Sequence, residues 1–203
     1  MIYNSWTHKL ARRLVRPLVG TRVTPNHLTT LRLVTALGAC AAFTVGAYVW
    51  DVCGGLLWTL SAFLDRADGE LARLGGQTSR FGHRYDFATD VTASALFFAA
   101  IGIGQTTSWL GDSAIALGLL AGSGVAAASL LSELLERREA TGRRAYEGAG
   151  GFDFDDVMYL FGPIAWVGGL APLLVGASLG GPAFALLTWW RLRRAGAGEA
   201  MRP

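Results

Sequence analysis

The sequence predicts an all-α integral membrane protein, six transmembrane helices preceded by a basic amphipathic interfacial helix. Three observations carry that prediction. Hydrophobic residues make up 52% of the 203 residues and charged residues only 16%, whereas soluble domains carry about 25% charged residues. Apolar runs recur along the chain with short polar breaks. All 18 Lys and Arg fall in segments that a six-span topology gathers on one side of the membrane, the signature of cytosolic loops. The same composition excludes disorder, a coiled coil and a secreted disulfide scaffold. The net charge of +3 needs no nucleic-acid partner, because topology accounts for the basic residues. Cys40 and Cys53 lack CxxC spacing and read as free, small apolar residues.

Taken in order, residues 1–22 form the interfacial helix. Leu10, Leu14 and Leu18 recur at i, i+4, i+8 beside Val15, with Lys9, Arg12, Arg13 and Arg16 between them, which suits an anionic membrane surface. Residues 23–192 form the six-helix bundle and 193–203 a cytosolic tail. The first apolar run is about Leu28 to Trp50. The second starts at Val52 and continues past Asp65 to Leu74. The third covers about Phe87 to Ile103 and the fourth about Ser113 to Leu135. Val157 to Trp190 holds two short or tilted helices, with the bend at Gly168–Gly169 or between Gly176 and Gly181. Asp51 and Asp112 are the only charges expected in outer turns. Trp50 and Trp109 mark the outer interface, Trp189 and Trp190 the inner one. Glycine, at 27 residues, serves close helix contacts. One domain is expected.

The chemistry-bearing segment runs from Asp65 to Asp90. Asp65 and Asp68 are an i, i+3 pair, Asp86 and Asp90 an i, i+4 pair, so each pair leaves one helix face. Gly69 and Ala72 share the first face and Gly82 the second, leaving room for a ligand. Carboxylates in apolar helices are costly and mark function. Converging, they repel unless cations compensate. With no His or Cys among them, the donors favour Mg²⁺ or Mn²⁺, and less so Ca²⁺. A diphosphate is the natural guest of two such ions, and Arg73 adds a cation suited to phosphate. A buried ion-pair network with arginines is the competing reading of the aspartates, but it leaves the glycines and the alanine unexplained. Glu70 points off this face and reads as a solvated or arginine-paired surface residue. His8, His27 and His83 read as interfacial polar residues.

The pattern DxxDGxxAR-x8-GxxxDxxxD, made by Asp65, Asp68, Gly69, Ala72, Arg73, Gly82, Asp86 and Asp90, resembles the signature of the CDP-alcohol phosphotransferases (class I). Thr24-Pro25-Asn26-His27-Leu28-Thr29 is similar to the P-N-x-x-T entry to that family's first span. The resemblance is specific over about residues 1–104 and architectural beyond. It implies transfer of a substituted phosphoryl group from a CDP-linked donor to an alcohol, with release of CMP, in phospholipid biosynthesis. It implies two Mg²⁺ or Mn²⁺ ions held by Asp65, Asp68, Asp86 and Asp90, with Asp90 also the base that takes the acceptor's proton. Asn26, Thr29, Asp65, Gly69, Ala72, Arg73, Ser79 and Gly82 would meet the donor nucleotide. It further implies membrane-lipid contacts, a homodimer, and an active site facing the cytosol of a bacterial inner membrane.

The acceptor is the open question. Arg137, Arg138, Arg143 and Arg144 could grip the phosphate of a phosphorylated polyol such as glycerol 3-phosphate or inositol phosphate, or could set topology alone. CDP-diacylglycerol is the favoured donor. Asp153, Asp155 and Asp156 read as a helix cap, a partner of those arginines, or an attractor of a cationic alcohol. Two alternatives stand beside the main reading: a choline- or ethanolamine-type phosphotransferase acting on a lipid acceptor, and an ion-coupled carrier. A carrier would place its carboxylates near mid-membrane and show inverted repeats.

Overall fold

A computed structural model describes residues 6–139 and 154–199. All regular elements among them are helical: α1 (Trp6–Val15), α2 (Pro25–Phe43), α3 (Tyr48–Leu74), α4 (Arg80–Gly104), α5 (Ser113–Glu139), α6 (Phe161–Trp166) and α7 (Leu170–Glu199). A 3₁₀ segment, Phe154–Leu160, leads into α6. The helix order matches the predicted runs, with shifted edges. Three stretches, Arg80–Thr107, Ser113–Arg137 and Leu170–Arg194, are long and apolar enough to cross a membrane, and the chain is an integral membrane protein.

Local chemistry explains the boundaries. Thr24 caps α2: its hydroxyl accepts from the His27 amide while His27 Nδ1 accepts from the Thr24 amide, and Pro25 opens the first turn, where its missing N–H costs nothing. The last apolar stretch breaks at Gly168, whose φ of 72° is left-handed and natural only for glycine. The other bend considered, Gly176 to Gly181, lies inside the continuous α7. Helix α7 also runs through 193–199, so the tail continues the helix there.

Helix α2 is central to the site, because α3 and α4 both pack against it. Its buried stripe is Thr29, Arg32, Ala36, Ala39, Cys40 and Phe43, a 3.6-residue period facing inward. The aromatic core follows: Phe97 stacks on Phe161 at 5.2 Å and meets Phe43 edge-on at 5.4 Å. Helices α4 and α5 approach closely at Gly102 and Gly118. A Cβ on Gly118 would lie 2.6 Å from the Phe98 carbonyl oxygen, and one on Gly102 2.7 Å from that of Ala114, so any side chain there would push the helices apart.

One boundary needs correction. Asp51 does not sit in the first loop, which closes at Ala47; it is buried in the first turn of α3. Helix α1 is amphipathic and also docks one side on the bundle. Its buried face is Thr7, His8, Ala11 and Val15, packed on α3, while Trp6, Leu10 and Leu14 point outward.

Candidate active site

Helix α3 ends at Gly75 and Gly76, the latter at φ 61°, and α4 begins at Ser79, whose hydroxyl accepts from the Gly82 amide at 2.9 Å. This short turn sets the last turns of α3 beside the first turns of α4, with α2 packed against both. Carboxylate oxygens of Asp65, Asp68 and Asp86 thereby come within 4.8 Å of one another. Asp68 is buried; Asp65 and Asp86 are partly open. Thr29 donates to Asp68 Oδ2 at 2.7 Å, which fixes that carboxylate.

Asp90 joins through a residue the motif does not contain. Arg32, on the buried face of α2, places Nη1 2.7 Å from both Asp65 Oδ1 and Asp86 Oδ1 and Nη2 against Asp90 Oδ1. The ion-pair reading of the aspartates is thus partly present, but among the described residues one arginine pairs with three of the four carboxylates, and Asp68 is held by Thr29 instead. The donor set is hard oxygen from two helices with net negative charge, which fits divalent cations such as Mg²⁺ or Mn²⁺.

Of the motif's two glycines, Gly82 is tightly bordered and Gly69 lies against Arg73 at ordinary contact distance. A Cβ on Gly69 would lie 3.4 Å from both terminal nitrogens of Arg73, and one on Gly82 3.1 Å from Ser79 Oγ and 3.4 Å from Asn26 Oδ1. Asn26, Ser79 and Gly82 therefore form one neighbourhood, and Gly69 and Arg73 another. Ala72 is half-buried between Leu71 and Arg73.

Glu70 corrects the sequence reading. It does point off the aspartate face, but it is 1% exposed. It accepts from Arg12 Nε at 2.8 Å and Arg73 Nη2 at 2.8 Å, and His8 Nδ1 donates to it at 3.0 Å. Burial, and then Arg66, hold His8 below its ordinary value of 6.5, so the ring is a neutral donor. His8 is accordingly a buried linker rather than an interfacial residue. Nearby, Asp156 accepts from Thr7 at 2.9 Å and from Arg66 at 3.4 Å, which ties α1, α3 and the 3₁₀ segment together.

Of the acceptor candidates, the side chain of Arg137 alone is described, and it bonds outside this cluster. Arg137 donates to Glu133 Oε1 at 2.8 Å, an oxygen that also meets the exposed His83 at 3.3 Å. The side chain of Arg138, and Arg143, Arg144, Asp153 and the side chain of Asp155, lie outside the described residues. What the sequence reading missed is Arg32, Glu70's burial and His8. Arg32 had a signal: a charge three residues after Thr29, in register with Ala36 and Ala39.

Fold and site together define a helical membrane protein with a cation-seeking carboxylate cluster at one end of its bundle. A family model described as CDP-alcohol phosphatidyltransferase matches residues 22–145, and the chain belongs to that family. Among relatives, it is 31% identical over 97 residues to an archaetidylinositol phosphate synthase of Pyrococcus horikoshii, covering 48% of this chain and 50% of that one. It is 28% identical over 141 residues to a phosphatidylinositol phosphate synthase of Mycobacteroides abscessus, covering 69% and 61%. The chain thus spans about half to three-fifths of the length of these two relatives. Among solved structures, phosphatidylinositol phosphate synthase of Mycobacterium tuberculosis with CDP-DAG bound superposes with a TM-score of 0.60 at 23% identity, over 91% of this chain and 94% of that one. The same enzyme in complex with manganese and citrate gives 0.59 at 24%, over 91% and 88%. These likenesses establish a shared fold.

Proposed function

We propose that the protein is a Mg²⁺- or Mn²⁺-dependent transferase that moves the lipid-bearing phosphoryl group of CDP-diacylglycerol to the hydroxyl of a phosphorylated polyol, releasing CMP. The observation that carries this reading is the convergence of Asp65, Asp68 and Asp86 within 4.8 Å, in a chain of the CDP-alcohol phosphatidyltransferase family. The relatives are named for inositol phosphate products, and one neighbour holds CDP-DAG and another manganese.

In this reading Asp65, Asp68, Asp86 and Asp90 hold the ions, which when bound neutralise the diphosphate and the departing CMP. Thr29 keeps Asp68 oriented through its 2.7 Å hydrogen bond. Asp90 takes the acceptor's hydroxyl proton. The freed oxygen bonds to the lipid-bearing phosphorus as that atom's bond to CMP breaks, and CMP leaves with the electron pair. Asn26, Ser79 and Gly82 border the donor on α2 and α4. Gly69, Ala72 and Arg73 border it on α3, with Arg73 offering a planar cation to phosphate. Arg137, with Arg138, Arg143 and Arg144, receives the acceptor phosphate, because a dianion approaching carboxylates needs fixed positive charge.

The membrane arrangement belongs to the same proposal. Helices α2 to α5, the 3₁₀ segment running into α6 taken as one short crossing, and α7 supply six crossings, both ends of the chain and the aspartates face the cytosol, and α1 lies on the inner surface. The basic residues gathered on that side support it. So does the α1 surface, where outward Trp6, Leu10 and Leu14 alternate with exposed Lys9 and Arg13.

The test is CMP release by the purified protein in detergent with CDP-diacylglycerol and Mg²⁺, across inositol 1-phosphate, glycerol 3-phosphate, inositol, serine, choline and ethanolamine. Release is expected only with a phosphorylated acceptor, and EDTA should abolish it. Turnover confined to an uncharged or cationic alcohol would refute the acceptor assignment. With the right acceptor, Arg137→Ala should raise acceptor KM about tenfold, near 1.4 kcal/mol, while donor KM stays put.

A further inference from the structure

Arg32 is a full charge on the buried stripe of a bundle helix. It is 5% exposed, and a guanidinium never loses its proton in a protein. Such a charge stays only where it is paired. Its place is fixed by backbone as well as side chain. Ser61, one turn before Asp65 on α3, donates to the Arg32 carbonyl at 3.1 Å, and Thr35 donates to it at 2.8 Å. The α2–α3 register is therefore pinned where the arginine enters the site.

One atom of Arg32 stands out. Nη1 lies 2.7 Å from Asp65 on α3 and 2.7 Å from Asp86 on α4, the two partly open members of the cluster. A cation held between those helices would draw on the same two carboxylates. The guanidinium and such a cation compete for them, since like charges that close repel strongly in a low-dielectric site. Asp90 meets the other terminal nitrogen, Nη2, so the same guanidinium also holds the fourth carboxylate of the site.

We propose that Arg32 is a built-in counter-ion that competes with the divalent metal for Asp65 and Asp86. It neutralises the carboxylates while no metal is bound, and metal entry proceeds by displacing Nη1 from both oxygens. Arg32 thereby sets the metal concentration at which the protein loads. This rests on the metal-site reading of the aspartate cluster given above.

The test is Mn²⁺ titration of the purified full chain, followed by the electron paramagnetic resonance of free Mn²⁺, beside thermal melting with EDTA and with Mn²⁺. Arg32→Gln is expected to bind Mn²⁺ about tenfold or more tightly than wild type, a size usual for residues that tune a metal's ligands. Its melting temperature in EDTA should fall, and the rise on adding Mn²⁺ should exceed that of wild type. Arg32→Lys keeps a charge without the fork and should fall between the two, so it serves if the glutamine variant does not fold. Equal or weaker Mn²⁺ binding by both variants, with wild type binding normally, would overturn the role of Arg32 alone. No Mn²⁺ binding by any form would overturn it together with the metal site.

Discussion

Two ionic clusters lie on opposite faces of the same end of α3. On one face Asp65, with Asp86 and Asp90 from α4, meets a single arginine among the described residues, Arg32, while Asp68 is held by Thr29. On the other, Glu70 meets Arg12, Arg73 and His8, while Asp156 meets Arg66. Both are built from residues that rarely stay buried unpaired. The difference is charge balance. The Glu70 side satisfies its carboxylates with protein cations and uses them to clamp α1 to the bundle. The aspartate side leaves negative charge that a bound cation would neutralise. Imbalance marks the working face; balance marks the structural one.

The largest expected effect breaks the unbalanced face. Asp86→Asn should cut CMP release by on the order of 10³-fold or more, as removal of a central catalytic group does. Its melting temperature in EDTA should be unchanged or higher, because one repelling carboxylate is gone. A melting temperature that drops with activity would mean the aspartates are structural after all. Glu70→Gln should do the reverse on the balanced face. Losing the charge that three partners share should cost about 3 kcal/mol, the low end for broken buried pairs, since Arg12 and Arg73 both reach solvent. Earlier melting with faster proteolysis near Arg12 and Arg13 would show it; a melting curve like wild type would refute the clamp.

The third and smallest effect sharpens the boundary between the faces. Gly69 lies between them, with both terminal nitrogens of Arg73 3.4 Å from where its Cβ would be. Gly69→Leu should displace that guanidinium and weaken CDP-donor binding about tenfold. Stability should change little, because the ~1 kcal/mol that leucine gains over glycine inside a helix offsets the loosened Arg73–Glu70 pair. Unchanged donor affinity by calorimetry would remove Gly69 and Arg73 from the donor site.

Much of this was legible in the sequence. The runs near Leu28, Val52, Phe87, Ser113 and Val157 each became helix, since apolar runs and breaks are local signals. Asp65, Asp68 and Asp86 converge because i, i+3 and i, i+4 spacing fixes a helix face. What spacing does not reveal is which element covers the opposite face. Glu70 looked surface-like because nothing local says that α1, more than fifty residues earlier, lies over it. His8 and the buried side of α1 were hidden for the same reason. Asp51 was misplaced because the first turn closed four residues sooner, at Ala47. Arg32 was counted among the topology charges, although its register with Thr29 and Ala36 put it on the buried stripe.

The far end of α7 carries one more consequence. Arg193 lies 4.0 Å from the ring centre of Trp189 and Arg194 3.7 Å from that of Trp190, two cation–π pairs on neighbouring stripes. From Leu170 to Trp190 the helix rises about 30 Å, the thickness of the hydrocarbon layer. In a bilayer the pairs would act as a depth stop, since sliding by one turn would drag two arginines into the hydrocarbon. The stop is shared. A Cβ on Gly124 of α5 would fall 2.5 Å from the Pro182 ring, so α5 lies hard against α7 and cannot slip past it. The level at which Glu133 and Arg137 meet the water is therefore gauged by two tryptophans on a different helix.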